Sequence, residues 1–165
     1  RVKALGYELP DKELEHTFRQ FKLLADKKKE IYDQDIEALI QDEKSEVPHI
    51  YELDNLSINC GPVPTASVRL RVGKNKILDD STKGDGPIDA IFKTIDLLTG
   101  IKGILLDYSI RSVTSGKDAL GEASVEVKVK GKNYRGRAVS TDTIEASAKA
   151  YLNAINRVAI KHRKK

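Results

Sequence analysis

Ala66-Ser67-Val68-Arg69-Leu70-Arg71-Val72 is matched further along the chain by Ala123-Ser124-Val125-Glu126-Val127-Lys128-Val129. In both stretches apolar residues alternate with polar ones, the period of a strand with one wet face. Each copy continues through a short polar turn and a second extended stretch into a helix start. The first start reads Gly84-Asp85-Gly86-Pro87-Ile88-Asp89-Ala90 and the second Thr141-Asp142-Thr143-Ile144-Glu145-Ala146. Asp85 aligns with Asp142 without a gap. One extra residue near Pro87 then brings Ile88, Asp89 and Ala90 onto Ile144, Glu145 and Ala146. Upstream, Leu53-Asp54 is echoed by Leu106-Asp107 before a further strand-like run. The pattern predicts two strand-strand-strand-helix units about a pseudo-twofold axis. The cleft between such units is a natural place for a small ligand.

Working outward, strands are expected around 50–59, 66–73 and 76–82, then 104–114, 123–130 and 133–140. The first unit's helix runs from Pro87 to about Thr99, with Ile88, Ile91, Phe92, Ile95 and Leu98 inward. Proline at the first helical position is pre-shaped for that role, and Gly100 and Gly103 stop the helix. The second runs from Thr143 to about Arg163, with Ile144, Ala148, Tyr151, Leu152, Ile155 and Val158 inward. Residues 1–42 read as a helical subdomain. Pro10-Asp11 opens a helix with Leu14, Phe18, Phe21 and Ala25 on one face, and Asp33 is placed to cap a second, shorter one. The polar, proline-broken stretch 43–48 reads as a linker and 49–165 as the duplicated domain. The expected class is α+β, an antiparallel sheet layer with helices on one face.

Composition narrows the function classes. The 165 residues are 39% apolar and 33% charged, with formal net charge +4, which suits a water-soluble domain. Much of the excess lies in Lys161-His162-Arg163-Lys164-Lys165, where cations suit a helix C-terminus. Cys60 is the only cysteine, so no intrachain disulfide forms, which fits a reducing, cytoplasmic setting. No apolar run reaches membrane-span length. The opening Arg1-Val2-Lys3-Ala4-Leu5 reads as the middle of a helix, so a longer polypeptide is expected.

Candidate chemistry is sparse. His16, His49 and His162 fall on different elements, none at metal-ligand spacing. Ser140-Thr141 precedes a helix and reads as cap chemistry. The glycine turn before the first helix is more suggestive. Two glycines there bring bare N–H groups close to a guest, at a helix end that suits a carboxylate or phosphate. Asp85 or Asp89 can accept from an ammonium group, so the turn can hold both ends of a free amino acid. The plainer reading is a strand-to-helix turn whose glycines supply positive φ. Gly116-Lys117-Asp118-Ala119-Leu120-Gly121-Glu122 is a second glycine-bounded loop, either a long hairpin or a lid over the cleft. A double-stranded RNA-binding domain shares the helix, three-strand, helix order, but Asp142 and Glu145 stand where phosphate would sit, and Asp85 and Asp89 do so in the other copy.

Taken together, Leu5-Gly6-Tyr7-Glu8-Leu9, Phe21-Lys22-Leu23-Leu24-Ala25-Asp26-Lys27-Lys28-Lys29, the Gly84–Ala90 turn, the Gly116–Glu122 loop and Ser140-Thr141-Asp142-Thr143-Ile144-Glu145-Ala146-Ser147-Ala148-Lys149-Ala150-Tyr151 resemble the C-terminal part of the 2-isopropylmalate synthase family, with citramalate and homocitrate synthases among its relatives. These stretches cover nearly the whole chain in the expected order. In that family a TIM barrel carries out an acetyl-CoA-dependent condensation using a divalent metal. The chain has neither the length nor the metal-binding histidines for the barrel. The resemblance implies a helical connecting subdomain and a regulatory domain that dimerises and binds the pathway's end product, leucine or, in some citramalate synthases, isoleucine. No cofactor, nucleic acid or membrane is implied for this portion.

Carried over by position, the implied effector site comprises Gly84, Asp85, Gly86, Pro87, Ile88 and Asp89, Leu105 and Tyr108 on the following strand, Ser112 further along it, Ala119 in the glycine-bounded loop, and Thr143 at the second helix start. Ile88 and Leu105 would supply apolar walls and Tyr108 an aromatic one with a polar tip. Ser112 is polar where the family's pattern leads to a small or aliphatic residue.

Overall fold

The computed structural model describes residues 1–43 and 49–163. After a short 3-10 turn at Lys3–Leu5 come α1 (Asp11–Lys27), α2 (Asp33–Glu43), β1 (Tyr51–Asn59), β2 (Thr65–Val72), β3 (Lys76–Lys83), α3 (Pro87–Thr99), β4 (Ile104–Ser112), β5 (Gly121–Val129), β6 (Lys132–Ser140) and α4 (Thr143–Arg163). The expected linker falls, beyond Glu43 at the end of α2, outside the described residues, as do Lys164 and Lys165 of the basic tail. The strands form two antiparallel three-stranded sheets, β1-β2-β3 and β4-β5-β6.

The duplication is visible in the hydrogen-bond register, and it corrects the alignment upstream. β1 pairs Leu53 with Leu70 and Asn55 with Arg69, bulging at Asp54. β4 pairs Leu105 with Val127 and Asp107 with Glu126, bulging at Leu106. Leu70 and Val127 are equivalent in the repeat, so Leu53 corresponds to Leu105 rather than Leu106, and Leu56 to Tyr108. A bulge inserts one residue against a partner strand; both copies kept it at the same rung. Position-by-position matching of the short Leu-Asp pair could not detect this, and a one-residue slip moves every side chain to the wrong face.

α3 lies on β2 and β3, and α4 on β5 and β6; α4 also meets β1 and α3. The two units therefore share one hydrophobic core, running from Ala66, Val68 and Leu70 through Ile91 and Ile95 to Val125, Val127, Tyr151, Ile155 and Val158. α4 is buried on more than one side, which explains the run of small residues Ala146, Ala148, Ala150 and Ala154 along it. Gly136 lets β6 approach it closely: a Cβ there would run into Ala150 O and Ala154 N. Phe92 stacks on Tyr151 with ring centroids 4.1 Å apart, joining α3 to α4. Asn156, fully buried, bonds both the N–H and the C=O of Tyr51, each at 2.9 Å, so a side chain stands in for a strand partner of β1.

The helical subdomain departs from its expected face. Leu14 and Ala25 are exposed and Phe18 is 54% exposed, while Thr17 and Leu24 are buried. Just past α1, Lys28 Nζ forms a fully buried ion pair with Asp35 of α2 at 2.9 Å, whose carboxylate also accepts from Tyr32 N–H. Buried charges need such complete pairing.

Candidate functional site

The two helix starts, nearly alike in sequence, differ physically. At α4, Asp142 Oδ1 accepts from the N–H groups of Ile144 (2.9 Å) and Glu145 (3.4 Å), and Ser140 Oγ accepts from Asp142 N–H. That helix caps itself. At α3 the N-cap is Gly86, and among the described residues no side chain caps the helix. The first intrahelical bond runs from Ala90 N–H to Gly86 O, and Pro87 has no N–H. Among the described residues, the donors of Ile88 and Asp89 thus have no partner at the electropositive end of a helix.

Neither glycine of this turn has positive φ, so the plain turn reading fails in its stated form. Gly84 is needed for close approach, since a Cβ would collide with the backbone of Asp89 and Ala90. Gly86 is extended, with φ −150° and ψ 174°, and nothing lies within 4 Å of where its Cβ would be. Asp89 is occupied: its carboxylate accepts from Asp85 N–H and from Lys93 Nζ, each at 2.8 Å. Lys93, helped by the Asp85 amide, holds that carboxyl below its ordinary range. The Asp85 carboxylate is exposed.

The inner face of β4 is the other half of the candidate site. α4 covers β5 and β6 and reaches β4 only at Tyr108 among the contacts described, leaving Leu105 44% exposed and Ile110 43% exposed. Tyr108 is half-buried, its hydroxyl 2.6 Å from Ser147 Oγ, which donates to Thr143 O. Ser112 pairs in register with Gly121, whose absent side chain makes room for Thr143. Tyr108, Ser112 and Thr143 are therefore assembled by one β4–β5–α4 corner. Ala119 is half-buried near the root of the β4–β5 loop. The glycine turn joins this group through Phe92, whose ring meets Tyr108 edge-on at 6.0 Å. Among the described residues no hydrogen bond or ion pair links the turn directly to β4. Ser147 and Phe92 were not legible as site residues; their only signal was a position one helical turn from Thr143 and Ile88.

Two cavities lie elsewhere. One of about 660 Å³ sits beneath α1, lined by Lys27, Leu53, Leu56, Asp142 and Glu145 among others. It is the duplicate's counterpart of the candidate site, but α1 roofs it and the helix start there is already capped. The other, about 420 Å³, is an apolar groove on the helical pair beside Leu14, Phe18, Phe21 and Ile36. Among the described residues no group of His, Cys, Asp and Glu is placed to hold a metal ion. No helix there is long and apolar enough to cross a membrane.

The sequence pattern of the LeuA allosteric (dimerisation) domain matches residues 30–159. The chain belongs to that family. The match takes in α2 and both units of the LeuA domain. Similar curated proteins are 2-isopropylmalate synthases. That of Carboxydothermus hydrogenoformans is 49% identical over all of this chain and 33% of its own length. Those of Pelotomaculum thermopropionicum and Ruminiclostridium cellulolyticum are 48% and 47% identical, over 96% and 95% of this chain and 32% and 31% of theirs. The chain thus spans about a third of the length of these relatives.

Proposed function

We propose that this LeuA domain is the effector-binding part of a 2-isopropylmalate synthase, where leucine binds, favours an inhibited state, and is held between two copies of the chain. The observation that carries the reading is the uncapped start of α3, a helix whose Phe92 ring meets Tyr108 of the exposed apolar strand β4. A free amino acid has a carboxylate, an ammonium group and, in leucine, a branched apolar chain. The open Ile88 and Asp89 amides suit the carboxylate. Asp85 suits the ammonium, because the Asp89 carboxylate already serves Lys93 and the Asp85 amide. Ile88, Leu105 and Tyr108 would enclose the side chain. The relatives' name and the LeuA family's description agree with this role. Condensation of acetyl-CoA with a 2-keto acid, and its divalent metal, would belong to a barrel outside this chain, within a cytoplasmic enzyme.

Calorimetric titration with leucine, isoleucine and valine tests the reading. A methylene in such a pocket is worth about 1–3 kcal/mol, so leucine should bind clearly more tightly than valine. Isoleucine binding best would mark a citramalate synthase domain instead. Gly86→Asp is the informative variant: it fills the empty cap position, which stabilises α3 by a few tenths of a kcal/mol, while occupying the open amides with a negative charge. Expected is an equally stable fold that no longer binds leucine. Unchanged leucine binding in Gly86→Asp would place the site elsewhere, and no binding by the parent chain would leave a purely structural dimerisation domain.

A further inference from the structure

We infer that the β4–β5 loop, residues 113–120, couples the effector site to the helical pair α1–α2, and that Leu120 is the contact through which it does so. The inference rests on the effector reading above. Ala119 and Leu120 are neighbours in sequence with opposite surroundings. Ala119 belongs to the candidate effector set. Leu120 is 1% exposed and forms, with Leu24 of α1 and Ala38 of α2, a small core separate from the main one, packed by Leu39 and Val113.

The loop is held as a unit at its root. Val113 N–H donates to Leu120 O at 2.8 Å, and Leu120 N–H donates to Thr114 Oγ1 at 2.8 Å. Ser112 Oγ, another residue of the candidate set, donates to Thr114 O at 2.7 Å. A shift of Ser112 or Ala119 is therefore passed to Leu120 rather than absorbed by a slack hairpin. Leu120, at the end of the loop, is already seated in that small core, so this end of the loop is anchored. A second link runs alongside: Lys27, the last residue of α1, lies 3.5 Å from Glu145 in the first turn of α4, two residues after Thr143. That pair is half-exposed and contributes little by itself, so the apolar contact is the one that carries force. Packed side chains transmit displacement because interiors are dense and have few alternative arrangements, and coupling of this kind is reciprocal between the two regions.

Amide hydrogen exchange of the chain with and without saturating leucine decides it. In the parent chain leucine should slow exchange at the start of α3 and in β4, and also change exchange in α1 and α2 by several-fold. In Leu120→Ala, and separately in Leu24→Ala on the helical side of the contact, leucine should still protect α3 and β4 while exchange in α1 and α2 becomes independent of leucine. Leu120→Met, of similar volume, should restore the response. The inference is overturned if α1 and α2 in the parent chain ignore leucine while β4 is protected, or if their response survives both alanine variants. Absence of leucine binding by the parent chain would instead overturn the effector reading, and this inference with it.

Discussion

At the residue scale, two polar groups, one fully and one half-buried, do more than fill space. Asn156 satisfies both backbone groups of Tyr51 from within the core. Replacing it by Leu would leave that half-buried N–H and C=O without these partners, each at a cost of up to about 1–3 kcal/mol. Chemical denaturation should show Asn156→Leu destabilised by about 2–5 kcal/mol, with residue 51 losing amide protection first. An unchanged midpoint would mean the clamp contributes nothing. Asp96 sits where α3, α4 and the start of β4 meet. Burial pushes its carboxyl up to about 6, against the pull of the Tyr151 hydroxyl bond at 2.6 Å, the Gly103 amide and Lys102. Between the ordinary carboxylate value and about 6 the folded state holds the extra proton. Stability from this group therefore falls as pH rises through that window, then levels off. Asp96→Asn keeps an acceptor for Tyr151 and has no charge to bury. The difference in Tm between the Asp96→Asn variant and the parent chain should grow in favour of the variant as pH rises from the ordinary carboxylate range to neutrality. A difference constant with pH would refute the assignment.

At the element scale, the same strand-strand-strand-helix pattern yields two helices with different duties. α4 is self-capped and sheathed, and its packing depends on Gly136. Gly136→Ala would drive a methyl group into the α4 backbone. Overpacking of that kind costs about 1–3 kcal/mol or more, and loss of cooperativity in thermal unfolding is the expected readout. α3 keeps its first turn open because glycine, not aspartate, holds the cap position. Asp85 and Asp142 align in sequence, yet only Asp142 bonds amide groups of its own helix. The one-residue insertion at Pro87 accounts for the difference, since it moves Asp85 one place further from the helix start.

At the scale of the whole molecule, β4 is an edge strand whose apolar residues Ile104, Leu105, Leu106 and Ile110 are all more than two-fifths exposed. A sheet edge of this kind invites pairing with another chain, and the LeuA domain is a dimerisation family. A symmetric dimer closing over β4 is the proposed assembly. Sedimentation equilibrium at tens of micromolar, a range suited to roughly micromolar interfaces, should show dimer. Leu106→Lys on the exposed strand should give folded monomer. A parent chain that stays monomeric, or a Leu106→Lys variant that stays dimeric, would exclude β4 as the interface.

Sequence alone carried the duplication, both helix starts, all six strands and the two helices that precede them. These are local matters of period, turn chemistry and recurring residues. It did not carry the register of β1 and β4, since a bulge is defined by the partner strand. The inward face of α1 was also hidden, since Thr17 and Leu24 rather than Leu14 and Phe18 are the residues buried there. Tertiary structure alone decided which glycine serves close approach and which leaves a helix end open, how Tyr108, Ser112 and Thr143 come to one corner, and where Leu120 is seated. The glycine roles rest on local φ and ψ that residue names do not fix, while the corner and the seat of Leu120 need atoms distant in sequence to meet at one point, and no spacing along the chain encodes that meeting.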